Sequence, residues 1–186
     1  MGRIPVEWDV KKVAEICEIS RGRVISKKTM EVSDDIYPVY SSQTLNNGCM
    51  GYIDTYDYEG EYVTWTTDGV NAGKTFYRNE KFNATNICGL LKVKLDFVDA
   101  AFVAYTLDTF TDKYVVRNGN PKLMSNIMAI IPIPISLDID EQRKISKNIQ
   151  SFDTVINQYQ DQKTDYIQLK DGLIQQLLTD KEIVTI

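Results

Sequence analysis

Towards the C-terminal end of the chain, apolar and amphipathic residues recur at Ile145, Ile149, Phe152, Ile156, Tyr159, Lys163, Tyr166, Lys170, Leu173 and Leu177. The steps alternate between four and three residues, the a/d seam of a heptad repeat, and predict one long helix over 138–180. Asp138 stands where an N-cap belongs, and Glu141 three residues on completes a capping-box-like pair. No proline interrupts the run, and Gly172 is its weak point at roughly 1 kcal/mol against alanine. About 40 residues rising about 1.5 Å each give a rod of roughly 60 Å. Such a rod has little core of its own, so its seam is expected to be a dimer interface. The rest of the chain holds no second long heptad, which places the partner helix on another chain. Lys163 and Lys170 occupy seam positions. Either their stems snorkel past the core, or they pair with acids of the opposing helix and fix its direction.

Upstream the period changes. Residues 7–17, EWDVKKVAEIC, put Trp8, Val13 and Ile16 on one side, as in a short strand or turn followed by a short amphipathic helix. From 36 to 95 the runs IYPVYSSQ, CMGYID, YVTWTT, KTFYR and ICGLLKVKL are rich in β-formers, with LNNG, TDGVNAG and NEKFN as turns between them. Residues 97–110, FVDAAFVAYTLDTF, have the spacing of a helix covering the sheet. NIMAIIPIPISL reads as a final apolar strand, which Pro132 and Pro134 confine to an edge or a strand exit. The expected architecture is α+β: a globular β-rich domain over 1–137, one long C-terminal helix over 138–180 and a tail over 181–186.

Composition narrows the chemistry. A hydrophobic fraction of 43% and a charged fraction of 25% suit a folded soluble protein. No apolar run approaches the roughly 20 residues that span a bilayer, and MGRIPVEWDV lacks a signal-peptide core; no membrane and a cytoplasmic location are expected. Cys17, Cys49 and Cys88 read as reduced thiols serving as small hydrophobes. Histidine is absent, which removes the commonest general base, Ser-His and Cys-His pairs and most zinc sites. No catalytic residue and no metal site is assigned.

Two segments carry candidate contacts with an anionic partner. SRGRVISKK presents Arg21, Arg23, Lys27 and Lys28 with no acid among them, and TDKYVVRNGNPKL presents Lys113, Arg117, Asn118, Asn120 and Lys122 around a Gly-Asn-Pro turn. The alternative for both is solvated surface. Between them, Ser41, Ser42, Gln43, Asn46 and Asn47 have side chains of the type that reads base edges. Tyr37, Tyr40, Tyr52, Tyr56, Tyr58 and Tyr62 crowd one short span and read as sheet packing ahead of base stacking. The net charge of −5 opposes a global attraction to phosphates, so any such contact must use a local patch. Gly69-Val-Asn-Ala-Gly73-Lys74-Thr75 imitates a phosphate-binding loop. It has one residue too few between the glycines and leads into a strand instead of a helix, so nucleotide binding is not expected.

Several segments in order carry a resemblance: IPVEWDVKKVAEI, YPVYSSQTLNNGCMGYID, TWTTDGVNAGKTFYRNEKFNATNICGLL, the basic turn, and IPIPISLDIDEQRKI leading into a helix that ends LKDGLIQQLLTDK. Together they resemble the DNA-specificity subunit of type I restriction–modification systems. Family members usually carry two target-recognition domains and two long helices, whereas this chain has one of each and looks like a half-subunit. Where another proline is usual before Glu141-Gln142, it has Ser136-Leu137.

The resemblance implies that the β-rich target-recognition domain reads one half of a bipartite double-stranded DNA site. It implies that the helix lies antiparallel to its partner and docks methyltransferase subunits; one reader and one unpaired rod most simply close as a homodimer, through an intermolecular antiparallel coiled coil. S-adenosylmethionine, ATP and magnesium would sit on those and on a restriction/motor subunit, with no cofactor on this chain; neither a glycine-rich cofactor loop nor an Asn-Pro-Pro-aromatic motif is present. On that reading Arg21, Arg23, Lys27, Lys28, Lys113, Arg117 and Lys122 face phosphates, and Gln43, Asn46, Asn47, Asn118 and Asn120 face bases. The alternative is a coiled-coil protein-interaction adaptor that does not bind DNA.

Overall fold

In the computed structural model, residues 4–30 and 36–179 are described, in two units, Met1–Ser146 and Lys147–Ile186. The tail expected over 181–186 lies outside the described residues. The chain is α+β, a β-rich body followed by a long C-terminal helix.

The first unit opens with β1 (Trp8–Lys12), the single helical turn α1 (Val13–Ile16) and β2 (Cys17–Arg21). β3 (Tyr37–Tyr40), β4 (Cys49–Ile53), β5 (Tyr58–Thr66), β6 (Thr75–Ala84) and β7 (Cys88–Val93) follow. Then come α2 (Ala100–Asp108), α3 (Ser125–Ile130) and β8 (Pro132–Ser136). Two expectations need correcting. NEKFN is no turn but part of β6: Asn79, Glu80, Lys81 and Phe82 pair with β5, and Phe82 and Asn83 are buried on opposite faces of the strand. NIMAIIPIPISL is not one strand: Ser125–Ile130 is helical and buries Met128, and the strand begins only at Pro132.

Six strands form one sheet in the order β2-β7-β5-β6-β3-β4, antiparallel throughout except between β3 and β6. β1 and β8 pair separately, with Pro132 opposite Lys12 and Pro134 opposite Val10. A two-stranded sheet tolerates their missing donors, as an edge strand must. An isolated bridge from Arg23 to Thr85, with Arg23 N–H donating to Ala84 O at 3.1 Å, ties the end of β2 to the end of β6. The β2-β7-β5-β6 run therefore curls back on itself. Gly22 permits that approach, since a Cβ there would lie 2.0 Å from the Ala84 carbonyl oxygen.

Strand alternation splits the interior in two. Val63, Trp65 and Leu91 face a core completed by Val13 and Ile16, Phe102, Val103 and Leu107 of α2, Met128, Ile133 and Ile135. Trp65 is fully buried and its Nε1 donates to Leu123 O at 3.0 Å. Tyr40, Phe82, Cys88 and Leu90 form a second core, against which Tyr58 and Tyr62 pack. Phe82 is the centre of the tyrosine-rich span: its ring centroid lies 5.3 Å from Tyr58, 5.5 Å from Tyr62 and 5.7 Å from Tyr40. Tyr37 and Tyr56 pair with each other. Burial pushes the Cys17 thiol up to about 12, and all three cysteines are free, as expected of thiols used for packing.

The long helix α4 (Ile139–Thr179) starts within the first unit. Asp138 caps it by accepting from Asp140 N–H at 2.9 Å. Glu141 does not return to Asp138 as the capping-box spacing suggests; its Oε2 accepts from Trp8 Nε1 at 3.2 Å and from the Ser136 hydroxyl. Ser136 Oγ in turn accepts from Asp138 N–H at 3.1 Å, so this serine organises the link into the helix. Gln142 is completely buried: Nε2 donates to Phe97 O and Ser136 O, and Oε1 accepts from Asp99 N–H. Ile145 packs against the first core. In the second unit the seam residues Phe152, Ile156, Tyr159, Tyr166, Leu173 and Leu177 are all exposed, up to 71% for Tyr166.

Candidate nucleic-acid interface

The turn Thr85–Ile87, between β6 and β7, is the junction at which distant segments meet. The Ile87 carbonyl oxygen accepts from Thr67 Oγ1 at 2.7 Å, from Thr67 N–H at 3.3 Å and from the Ser42 hydroxyl. Thr67 N–H also reaches Ser42 Oγ at 3.0 Å. The Thr67 carbonyl accepts from Leu123 N–H at 2.8 Å, and Gly69 N–H donates to Pro121 O at 3.0 Å. One residue past the junction, Cys88 O accepts from Gly22 N–H at 3.3 Å. The basic segment after β2, the polar turn after β3 and the Val115–Met124 loop thus converge where β5 ends and β7 begins.

Within that junction the sequence candidates divide. Arg21 places Nη2 3.3 Å from Met124 Sδ, joining the two basic segments directly. Lys122 exchanges backbone hydrogen bonds with Val116 and lies opposite Asp68, while its side chain is exposed. Asn118 and Asn120 flank Gly119, whose φ of +85° makes the exposed tip of this loop. Lys113 is exposed on the short 3-10 turn Thr111–Tyr114. Lys27 and Lys28 are exposed on another, Lys27–Met30, whose Met30 packs over Gly51 of β4. Two of the arginines are already paired: Arg23 Nε with Asp57 at 2.7 Å, and Arg117 with Asp112 through both carboxylate and backbone carbonyl. Lys27, Lys28, Lys113 and Lys122 make no ion pair among the described residues.

The polar turn is more ordered than its composition indicates. Ser41 is buried and accepts from Thr85 Oγ1 at 2.9 Å, and Gln43 donates its amide to Cys49 O. Both brace the turn. Asn46, Asn47 and Gly48 take successive positive φ values of 49°, 54° and 83°, which push the two asparagine side chains into solvent.

Beneath them lies a residue that pattern reading missed, Arg78 of β6, only 2% exposed. Its Nη2 donates to Asn47 O at 2.6 Å and its Nε to Thr64 Oγ1 at 3.2 Å. The guanidinium carbon sits 3.5 Å from the centre of the Tyr40 ring. Burial pushes its pKa down from the ordinary arginine value, opposed by the surrounding phenol, thiol and carboxyl groups.

The apparent phosphate loop has no phosphate geometry. Lys74 Nζ pairs with Asp108 at 2.6 Å, Thr75 Oγ1 donates to Ala104 O at 2.8 Å, and Thr75 opens a strand. The adjoining cleft of about 230 Å³ includes both Asp108 and Asp112, which oppose an anion. Among the described residues no group of acidic, cysteine or histidine side chains could hold a metal ion, and no helix is long and apolar enough to cross a membrane.

Comparison with known proteins bears on what these loops serve. A family profile described as "Type I restriction modification DNA specificity domain" matches residues 5–169. A putative type I specificity subunit of Mycoplasma pneumoniae is 44% identical over 151 residues, which are 79% of this chain and 40% of that protein. The N-terminus of another putative type I specificity subunit from the same organism is 47% identical over 145 residues, 76% of this chain and 75% of the relative. Among solved structures, the type I restriction–modification S subunit of M. genitalium superposes with a TM-score of 0.76 at 13% identity, over 98% of this chain and 49% of that one. The HsdS subunit of Thermoanaerobacter tengcongensis gives a TM-score of 0.59 at 14% identity, over 98% of this chain and 42% of that one. The chain spans about half the length of these solved subunits.

Proposed function

The chain belongs to the family of type I restriction modification DNA specificity domains, and from that premise we propose that it is the non-catalytic, sequence-reading half of a DNA-specificity subunit. One observation carries the reading: the two basic segments and the asparagine turn, far apart in sequence, are hydrogen-bonded into one junction around Ile87. In this reading the junction contacts one half of a split duplex site. Phosphates are met by Arg21, Arg23, Lys113, Arg117 and Lys122, with Lys27 and Lys28 as a flanking contact. Asn46, Asn47, Asn118 and Asn120 meet base edges, and Gln43 acts by bracing the turn.

The exposed seam of the second unit serves a second copy of the chain, giving a twofold dimer in which the helices run antiparallel and offer a dock to methyltransferase subunits. Parallel helices in register would set Lys163 on Lys163 and Lys170 on Lys170, a like-charge arrangement that disfavours that direction. S-adenosylmethionine, ATP and magnesium belong to the methyltransferase and motor subunits, and the assembly works in the cytoplasm.

The adaptor reading draws on the pairing of Arg23 and Arg117 with acids and on the net charge of −5. Binding of the chain with its methyltransferase subunits to random duplex DNA, measured against salt, separates the two. A phosphate-contacting module loses affinity steeply as salt rises, and an adaptor shows no such binding.

A further inference from the structure

Arg78 presents an imbalance that packing alone does not explain. A guanidinium buried in a sheet is costly unless a carboxylate answers it, and among the described residues Arg78 makes no ion pair. It is held instead by the faces of Tyr40 and Phe76, at 3.5 and 4.7 Å from the ring centres, and by two neutral oxygens, Thr64 Oγ1 and the Asn47 carbonyl. An apolar side chain would fill the slot between the rings without that cost. What only a fork of donors supplies is the bond to Asn47.

That bond lands on a turn holding the only two non-glycine residues with positive φ among the described residues. Asn46 and Asn47 both have left-handed φ, Gly48 continues it, and such a run persists only where its surroundings over-determine it. A Cβ on Gly48 would come within 3.1 Å of Arg78 Nη2, so the turn is closed directly onto the guanidinium. Ser41 N–H to Gly48 O and Cys49 N–H to Asn46 O complete the closure.

We infer that Arg78 is a positioning residue for sequence readout: by drawing the Asn47 carbonyl inward it fixes the outward side chains of Asn46 and Asn47 at one height and angle. The inference rests on the reading that this turn faces DNA, and it adds a discriminating role for a residue that never touches DNA. Loss of the fork lets the turn relax, so base discrimination falls while phosphate-driven affinity, which uses other side chains, stays.

The test uses the full chain assembled with methyltransferase subunits, once the wild-type target has been mapped by methylation. Affinities for target and random duplex are measured for wild type, Arg78→Met, Arg78→Lys and Thr64→Val, with hydrogen exchange at Cys49 N–H as a local readout. In Arg78→Met the ratio of target to random affinity should fall about tenfold or more, the scale of one good base contact. Random-duplex affinity should stay within about twofold, and Cys49 exchange should quicken. Arg78→Lys should recover part of the ratio and Thr64→Val lose only part of it. Adding Asn47→Ala to Arg78→Met should cost nothing further, because both act through one contact. An unchanged ratio in a folded Arg78→Met protein overturns the inference while leaving the functional reading intact. Should Arg78→Met fail to fold, Arg78→Lys and Thr64→Val decide it, and unchanged ratios in both overturn it. A wild-type assembly that does not discriminate between sequences overturns the functional reading and this inference together.

Discussion

Thr67 gives both its hydroxyl and its backbone amide to one acceptor, the carbonyl oxygen of Ile87, at 2.7 and 3.3 Å. Because Thr67 O also receives Leu123 N–H, this single residue clamps the Val115–Met124 loop to the turn between β6 and β7. Thr67→Val keeps the shape and removes the hydroxyl bond. It should lower stability by about 1 kcal/mol in chemical denaturation, because the Ile87 carbonyl keeps its bonds from Thr67 N–H and the Ser42 hydroxyl. It should also loosen the contact face, weakening binding to the target more than to random duplex.

The acids beside the arginines give a second expectation. Asp57 and Asp112 hold Arg23 and Arg117, so under the proposed reading a phosphate would compete with a carboxylate at each. Asp57→Asn and Asp112→Asn should each tighten binding to random duplex. Each should steepen the slope of log affinity against log salt by up to about 0.9 where the freed arginine gains one phosphate. A titration showing no change in either slope would mean that these arginines do not face DNA.

Gln142 makes three hydrogen bonds while wholly buried, tying the first turn of α4 to Phe97, Asp99 and Ser136. Gln142→Leu leaves Asp99 N–H and two carbonyls without this partner, and at roughly 1 kcal/mol per neutral bond the cost should be about 3 kcal/mol in urea unfolding. A loss under about 1 kcal/mol would show that water replaces the amide readily.

How much of this was legible beforehand varies with the distance over which each cause acts. The long helix and its cap at Asp138 follow from local periodicity and local hydrogen bonding, and both appear in the structure. The sheet segments were readable for the same reason, with two exceptions: Asn79-Glu80-Lys81 looked like a turn, where the pairing of β6 with β5 outweighs the local preference, and NIMAIIPIPISL looked like one strand, whose first part is the helix Ser125–Ile130. The basic and asparagine segments could be named from composition. Their convergence could not, since it depends on bonds from Ser42 and Thr67 to Ile87 that cross much of the chain. Arg78 was hidden for a related reason: in TFYRNE it looks like an outward strand residue, and only the fold shows Tyr40, Phe76 and Asn47 around it. Ser136, which in sequence was only a departure from a proline, proves to bond Asp138 and Glu141 at the start of the helix.

The seam lysines are a further test of the proposed dimer. Lys163 and Lys170 are exposed in the second unit at positions where apolar residues stabilise a coiled coil more. Changing both to leucine should raise the melting temperature of the dimer. If the lysines also set helix direction, sedimentation of that variant should reveal mixed oligomers, and a clean single dimer would leave them as snorkelling side chains.

Under the proposed function, a chain with one reader acts as a twofold pair on DNA. Related by a twofold axis, two identical readers must read the same bases on opposite strands, with half-site centres about one helical turn or more apart. The most direct measurement is methylation mapping of a genome in cells where this chain is the only specificity component beside its methyltransferase. A twofold pair should give an inverted repeat split by an unread spacer of several base pairs. An asymmetric or continuous site would contradict it.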